Sequence, residues 1–271
     1  MPLAVCATPI GNLDDVTLRV LQVLRDAELV LCEDTRRTRL LLARYGIRAE
    51  LASYHEHNEA ERTAELIPRL QGGALVALVS DAGLPAISDP GARLIGAAVA
   101  ADVPVTVLPG ASAVETALVA SGFAADRWQF LGYLPRGDRA LAALWAELAR
   151  WPHAVVAFES PQRLPATLAS LADGLPERRV AVCRELTKRF EEVVRGSPAE
   201  LAERFREPPR GEITLVLGGH AAAATAAAAD EGDALAAVAE LVAAGVSRRD
   251  AAGVVARLTG VARNRLYEGS L

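Results

Sequence analysis

The sequence predicts an α/β protein, built from two α/β domains and a small C-terminal helical unit. In the first half, apolar runs alternate with amphipathic segments, which is the pattern of a parallel sheet wrapped by helices. Beyond about Arg127, two strand-like runs follow each other directly, which indicates a second, mixed sheet. The composition agrees, because 51% of the 271 residues are hydrophobic and only 4% are aromatic, as in helices packed on a Val-rich sheet.

The first predicted domain covers residues 1–118. Its predicted strands are LAVCA, ELVLC, ELASY, ALVALV and VPVTVL. We predict helices from Asp14, from the EDTRRT segment, from the cap pair Asn58 and Glu61, and after Pro90. Right-handed crossovers between parallel strands bring the loops after these strands to one edge of the sheet.

The second predicted domain covers residues 119–220. Its predicted strands are WQFLGYL, HAVVAFE, RRVAVCRE, RFEEVVRG and EITLVLGG, with helices near 141–149 and 164–171. The strands around Val182 and Val193 have no helix between them, so we expect them to pair antiparallel. The domain boundary should lie between about Leu118 and Arg127.

The C-terminal unit, residues 232–271, follows an Ala-rich stretch, 221–229, that has the composition of a linker. Ser247 and Asp250 form a helix-cap pair, and the apolar residues after them recur at helical spacing. A turn at Thr259 and Gly260 leads into a second helix. This pattern is typical of a helix-turn-helix or of a plain helical cap, and both interpretations stay open.

Charge and cysteine content narrow the class of protein. The formal net charge of −5 argues against a protein that coats nucleic acid by bulk charge. The cysteines Cys6, Cys32 and Cys183 each end an apolar run, which indicates buried, reduced thiols. We find no basic leader at the N-terminus and no apolar run of about 18 residues, so we expect a soluble cytoplasmic protein without membrane contact.

Three loops rich in small residues follow predicted strands of the first domain: TPIGN, SDAGLPAISDPG and LPGAS. Because they share one edge of a parallel sheet, we expect them to form one ligand site. The sequence has neither the G-x-G-x-x-G dinucleotide fingerprint nor a P-loop. Asp81 in the second loop is suited to accept hydrogen bonds from a ligand or to shape a turn.

The segments TPIGNLDD, LCEDTRRTRLLL, VSDAGLPAISDPG, LPGASA, RELTK and GEITLVL, in this order, resemble the tetrapyrrole methylase superfamily of class III S-adenosylmethionine-dependent methyltransferases. Within it they resemble most the ribosomal RNA small subunit methyltransferase I family. The resemblance implies two α/β domains with S-adenosylmethionine in the cleft between them, and a homodimer. It also implies 2′-O-methylation of a cytidine in the decoding region of 16S rRNA, within the small ribosomal subunit.

The resemblance also implies a set of cofactor-binding residues. They are Pro9, Gly11, Asp81, Ala82, Gly83, Leu84, Ala86, Ile87, Ser88, Pro109, Ala111, Ser112, Phe158, Leu186, Gly211, Glu212, Ile213 and Thr214. Backbone contacts and a few polar groups in an apolar pocket suit a cofactor that carries no phosphate.

Four residues are candidates for a catalytic or positioning role near this cleft: Asp34, His55, Glu159 and Lys188. The sequence does not choose between them. Lys188 is the chain's only lysine, which points to a role that arginine cannot fill. His55 and His57 come without a further ligand cluster, and methyl transfer needs no metal, so we predict no metal site.

Six arginines are candidates for contacts with RNA: Arg36, Arg37, Arg248, Arg249, Arg263 and Arg265. Arginine holds phosphates bidentately and gives an acidic protein a local basic surface. For each of them, a solvated helix face is the alternative. Two other functions stay open: a tetrapyrrole C-methyltransferase with the same cofactor loops, and a helix-turn-helix regulator.

Overall fold

The computed structural model describes residues 2–219, 221–259 and 261–270. In the first half of the chain, five strands form a parallel sheet with the order β3-β2-β4-β1-β5. The strands are β1 (Leu3–Cys6), β2 (Leu29–Cys32), β3 (Leu51–Ser53), β4 (Val76–Leu78) and β5 (Val105–Leu108). The predicted parallel arrangement is confirmed.

Helices cover both faces of this sheet. They are α1 (Leu18–Asp26), α2 (Thr35–Arg44), α3 (Glu59–Gln71) and α4 (Ala92–Ala100). Ala4 and Cys6 pack in a core with α1 and α2, whereas Leu3 and Val5 pack in a second core with α3 and α4. Because successive side chains of a strand point to opposite faces, β1 must be apolar throughout, which explains its lack of alternation.

Two helix starts differ from the prediction. The segment at Asp14 forms only a short 3-10 turn, and α1 begins at Leu18, where the Thr17 side chain accepts from the Val20 N–H. Asn58 precedes α3, but its side chain does not cap that helix. It accepts from the His55 N–H at 2.9 Å and donates to the Ser53 carbonyl at 3.1 Å instead.

The second sheet is mixed, with the order β6-β7-β10-β8-β9. Its strands are β6 (Trp128–Tyr133), β7 (Ala154–Glu159), β8 (Val180–Arg184), β9 (Glu192–Gly196) and β10 (Ile213–Leu217). β6 and β7 are parallel, and β10 is antiparallel to both of its neighbours. Cys183 lies opposite Val193 in the antiparallel pair of β8 and β9, as predicted.

Four more helices belong to this region: α5 (Ala113–Ser121), α6 (Asp138–Leu148), α7 (Leu164–Gly174) and α8 (Pro198–Arg204). Neither α5 nor α8 was predicted from the sequence. Val114 and Ala117 of α5 pack with Val156 and Val216 of the mixed sheet. The last helix of the first half therefore contributes to the core of the second.

The C-terminal region consists of α9 (Ala221–Ala243), α10 (Arg248–Thr259) and α11 (Arg263–Gly269). The predicted linker at 221–229 is wrong, because α9 begins there; alanine has the highest helix propensity. The predicted cap is present, since the Asp250 N–H donates to Ser247 Oγ at 3.2 Å. Val238, Val255 and Leu266 form a core. Of the predicted turn, Gly260 lies outside the described residues.

The chain up to Ala146, together with Ala154–Gly218, forms one compact unit that contains both sheets. Glu147–His153 and the chain from Gly219 onward form a second unit. The domain limits 1–118, 119–220 and 232–271 stay predictions. No helix in the described ranges has the length and apolar character needed to cross a membrane.

Candidate functional site

Hydrogen bonds tie the loop after β1 to the loop after β4. The Thr8 N–H donates to the Gly83 carbonyl at 2.8 Å, and the Gly83 N–H donates back to the Thr8 carbonyl at 3.0 Å. The Thr8 hydroxyl donates to the Ser80 carbonyl at 3.0 Å. Gly83 has a φ of +81°, a conformation that glycine adopts without strain. Two of the three predicted loops thus meet at one edge of the parallel sheet.

The loop after β8, which carries the RELTK motif, reaches the loop after β1. The Asn12 N–H donates to Thr187 Oγ1 at 3.0 Å. A Cβ atom on Gly11 would lie 2.5 Å from Lys188 Cγ and 2.9 Å from the Leu186 carbonyl oxygen. Any side chain at Gly11 would push these loops apart, so this glycine permits the close approach of the two sheets.

A cavity of about 520 Å³ lies at this edge. Twelve of the predicted cofactor residues line it: Asp81, Ala82, Gly83, Leu84, Ile87, Ser88, Ser112, Phe158, Gly211, Glu212, Ile213 and Thr214. The lining also includes residues that the sequence analysis did not assign to the cofactor, among them Ile10, Arg37, Asp89, Val114, Tyr133 and Glu159. The size and the mixed polar and apolar lining suit a small organic ligand.

A smaller cavity of about 300 Å³ adjoins the first. Pro9, Gly11 and Lys188 line it, and Arg37 and Asp81 line both cavities. The two spaces therefore share one wall. This arrangement allows two different molecules, or two parts of one molecule, to lie side by side.

Some predicted site residues lie outside both linings: Ala86, Pro109, Ala111, Leu186, Asp34 and His55. Leu186 is buried in the core with Ile10. Ala86 has a φ of +70°, and its N–H donates to the Pro90 carbonyl at 3.3 Å. The position of Leu186 fits a packing role, and that of Ala86 fits a role in shaping the loop.

Asp34, Asp81 and Arg37 link the loop after β2 to the loop after β4. The Asp34 N–H donates to Asp81 Oδ1 at 3.1 Å, and Arg37 Nε lies 3.4 Å from Asp81 Oδ2. The Asp34 carboxylate caps α2 and accepts from the Arg36 guanidinium. Hydrogen bonds from Arg36 lower the pKa of Asp34 to about 2. Asp34 therefore stays ionised near neutral pH and is a poor proton acceptor.

Glu159 is fully buried at the end of β7. Its Oε1 accepts from the Ser160 N–H at 2.6 Å. Its Oε2 accepts from Thr167 Oγ1 at 2.6 Å and from Arg163 Nη2 at 3.1 Å. Because both oxygens are occupied by protein donors, this carboxylate holds β7 to α7 rather than facing a substrate with free lone pairs.

Lys188 lies between two carboxylates. Its Nζ is 2.9 Å from Glu185 Oε1 and 2.9 Å from Glu212 Oε2. Burial lowers the pKa of Lys188, but the two carboxylates outweigh this effect and raise it. The ammonium is therefore charged near neutral pH and held in place. It can donate a hydrogen bond but cannot take up a proton.

His55 follows β3, and its Nδ1 is buried without a hydrogen-bond partner among the described residues. Its Nε2 lies 3.4 Å from Asn58 Nδ2, and its ring meets that of His57 edge-on at 5.9 Å. In the part of the chain that the structure describes, no group of three or more histidine, cysteine or acidic residues is arranged to hold a metal ion.

Asp89 is a cavity-lining residue that the sequence analysis missed. Burial and the nearby Glu33 raise its pKa to about 6, while a hydrogen bond with Ser80 acts in the opposite direction. The signal in the sequence was the second Ser-Asp pair of the loop, Ser88 and Asp89. Because this pair has the composition of an ordinary turn, it gave no reason to assign Asp89 to the site.

The six predicted RNA-binding arginines lie in both compact units. In the first, Arg36 is highly exposed beside Asp34, and Arg37 faces the cavities. In the second, Arg249, Arg263 and Arg265 are exposed and Arg248 is half-buried. Arg263 Nη2 donates to the Arg249 carbonyl at 3.3 Å, which joins α11 to the start of α10.

The model of the Tetrapyrrole (Corrin/Porphyrin) Methylases family matches residues 2–202. Ribosomal RNA small subunit methyltransferase I of Micromonospora olivasterospora is 46% identical over 96% of this chain and 83% of its own length. The protein of that name from Mesorhizobium japonicum is 44% identical over 96% of this chain and 88% of its own.

A solved structure has a similar fold. Uroporphyrin-III C-methyl transferase from Thermus thermophilus, complexed with S-adenyl homocysteine, matches 80% of this chain and 96% of its own chain, with a TM-score of 0.56 and 19% identity. Because the family model and the relatives both span most of the sequence, the chain belongs to the tetrapyrrole methylase family and, within it, to the ribosomal RNA small subunit methyltransferase I family.

Proposed function

We propose that this chain methylates the ribose 2′-hydroxyl of a cytidine in the decoding region of 16S rRNA, with S-adenosylmethionine as the methyl donor. The observation that carries the proposal is the cavity of about 520 Å³, built from the loops after β1, β4, β5 and β7 and from the segment that leads into β10. The chain's relatives are named as small subunit rRNA methyltransferases. Those relatives favour RNA over a tetrapyrrole or a regulatory DNA site as the substrate.

The residues present fit the cofactor. Phe158, Ile10 and Val114 supply apolar surface, and the backbone from Asp81 to Ser88 supplies polar groups without a phosphate-binding lysine or glycine-rich P-loop. Asp81 is held by Arg37 and by the Asp34 N–H, so its carboxylate stays in one position. We assign the cofactor to this larger cavity, with the twelve predicted residues that line it as its contacts.

Bound S-adenosylmethionine supplies an electrophilic methyl group on a sulfonium. The chain's own part is to hold a ribose oxygen in line with that methyl group, and such alignment can supply effective molarities of about 10⁵ to 10⁸ M. We assign the target nucleoside to the wall at which the two cavities meet, because Arg37 and Asp81 line both of them. Its ribose is assigned to the side of that wall that belongs to the larger cavity, which Asp89 also lines. We assign to Lys188, which Glu185 and Glu212 hold in position, the role of donating a hydrogen bond to that nucleoside.

Contacts with the rest of the RNA are assigned to the arginines. Arg36 and Arg37 lie beside the cavities, and the C-terminal unit presents Arg248, Arg249, Arg263 and Arg265, which we assign to docking on the small ribosomal subunit. A homodimer, which the resemblance implies, and a cytoplasmic location complete the proposal.

The test is transfer of a labelled methyl group to undermodified small ribosomal subunits, to naked 16S rRNA and to a porphyrinogen, with the labelled position mapped by nuclease digestion. We expect the label on the 2′-oxygen of one cytidine. Label on the macrocycle alone would overturn the RNA substrate while keeping the cofactor.

Asp81→Ala should weaken cofactor binding in calorimetry, because it removes a fixed acceptor and frees Arg37. Asp102→Asn, in the exposed turn after α4, is the matched control. Unchanged affinity of the Asp81 variant would remove this residue from the cofactor site.

A further inference from the structure

Four carboxylates line the larger cavity: Asp81, Asp89, Glu159 and Glu212. A proton acceptor for a ribose hydroxyl needs a carboxylate oxygen whose lone pairs are not already occupied by protein donors. The hydrogen-bond partners of the four therefore distinguish between them.

Three of the four are paired with a cation of the protein. Asp81 accepts from the Asp34 N–H and faces Arg37. Both oxygens of Glu159 accept from buried protein donors. Glu212 is paired with Lys188. A substrate hydroxyl at any of these three carboxylates would compete with a protein cation that is already in contact with it.

Asp89 differs from the other three. Within the described residues it takes part in no ion pair. The Ser80 hydroxyl, which donates to the Gly83 carbonyl at 3.2 Å, lies close to it. The turn that carries it is unusual, because Ala86 and Ser88 have φ values of +70° and +61°. Non-glycine residues in this conformation carry strain, which is found where a loop is held for function. The turn thus presents Asp89 to the cavity in a fixed position.

The charged and titratable groups that face Asp89 come from three elements. Glu33 follows β2, Asp81 follows β4, and Tyr133 ends β6. Burial, then Glu33 and finally Asp81 disfavour the ionised carboxylate, while Ser80 favours it, and the pKa of Asp89 is raised to about 6. Such a carboxylate is ionised at neutral pH yet more basic than an ordinary aspartate, as a general base requires.

We propose that Asp89 is the general base of the methyl transfer. As the bond forms between the ribose 2′-oxygen and the methyl carbon, the carbon–sulfur bond breaks and its electron pair stays on sulfur. The 2′-hydroxyl proton passes to a carboxylate oxygen of Asp89, which becomes neutral, and later leaves to solvent. This inference rests on the proposed function and deepens it by naming the residue that takes the proton.

The first test is the pH dependence of methyl transfer to undermodified small subunits. For the wild-type chain, kcat/KM should fall about tenfold for each pH unit below about 6, because Asp89 becomes protonated. Asp89→Asn should lower kcat by about 10²- to 10⁴-fold and abolish this acid limb. Asp89→Glu should recover part of the rate and keep an acid limb. An Asn variant with near-wild-type kcat and an unchanged limb would overturn the proposal.

A second test measures RNA binding instead of turnover, so it does not require bound cofactor. Short RNAs with the target cytidine carrying either a 2′-hydroxyl or a 2′-hydrogen are titrated against the protein without cofactor. The wild-type chain should prefer the hydroxyl by about tenfold, because a carboxylate accepts its hydrogen bond. Asp89→Ala should lose this preference, and a preference that persists in Asp89→Ala would contradict the assignment.

Controls separate the possible failures. Asp102→Asn should behave as wild type in both tests, and thermal unfolding must show that the Asp89 variants fold. Should Asp89→Ala fail to fold, the nearly isosteric Asp89→Asn replaces it. If the wild-type chain places no label on a ribose oxygen, the proposed function fails and this inference with it. If wild type and Asp89→Asn label the ribose equally well, the inference fails alone.

Discussion

The two sheets contribute to the cavity in different ways. At the edge of the parallel sheet, backbone hydrogen bonds such as those between Thr8 and Gly83 define the loops. At the mixed sheet, side-chain charges hold the structure: Glu159 with Arg163, and Lys188 with Glu185 and Glu212. The same cavity thus has one wall that depends on small residues and another that depends on ion pairs. Substitutions in the two walls should therefore destabilise the protein for different physical reasons.

The largest effect on the free energy of unfolding is expected from a substitution in the wall of ion pairs. Glu159→Ala removes the acceptor of Arg163, Thr167 and the Ser160 N–H at a fully buried position, and should lower the free energy of unfolding by about 3–5 kcal/mol. Denaturant unfolding measures it. Glu203→Ala, which breaks an exposed pair with Arg206, should leave stability unchanged. Equal effects of the two variants would mean that Glu159 is not a structural anchor.

The next effect is expected in the wall of small residues. Gly11→Ala places a methyl group 2.5 Å from Lys188 Cγ and should cost about 1–3 kcal/mol of stability, because the loops must separate. It should also weaken cofactor binding, measured by calorimetry. The matched control is Gly96→Ala in α4, where a methyl group meets nothing within 4 Å and should be neutral or stabilising. A Gly11 variant as stable as wild type would show that the loops can yield.

A smaller effect on the free energy of unfolding should appear as the pH is lowered. Burial raises the pKa of Glu185, but the Glu212 N–H and Lys188 outweigh it and lower that pKa. The stability contributed by Glu185 is therefore present above its ordinary pKa and is lost as the pH falls through the lowered value. In Lys188→Ala, unfolding free energy should depend less on pH in this acid range, and Lys188→Arg should restore the dependence. Identical pH profiles of wild type and Lys188→Ala would contradict the pairing.

The smallest effect on stability lies outside both walls, in the C-terminal unit. Replacing Arg263 and Arg265 together by alanine should leave cofactor affinity and folding intact. It should weaken RNA binding and reduce the slope of log K against log salt by up to about 2, since each phosphate contact contributes about one. Filter binding at several salt concentrations measures both quantities. Arg62→Ala with Arg69→Ala on α3 is the control pair, and an equal loss there would remove the docking role.

The part of the site at the parallel sheet could be predicted from the sequence, because every strand of a parallel sheet ends at the same edge. Asp81, Gly83 and Ser112 could be grouped on that basis, and all three line the cavity. The part of the site at the mixed sheet could not be predicted in this way, because strand order there does not follow chain order. β10 comes last in the chain but lies between β7 and β8. Tyr133, at the end of β6, lines the same cavity as Asp89, and the order of the chain gave no signal for this. Asp89 itself was hidden in a segment that has the composition of a turn.

The strand order also bears on how the chain folds as it leaves the ribosome. α5 presents Val114 and Ala117 to a core whose central strand, β10, is synthesised last of all the strands. Until β10 emerges, the apolar face of α5 lacks one of its packing partners, and the edges of β7 and β8 that face β10 are unpaired. The second sheet should therefore form only near the end of synthesis, and truncations before Ile213 should yield an aggregation-prone nascent chain rather than a smaller folded enzyme.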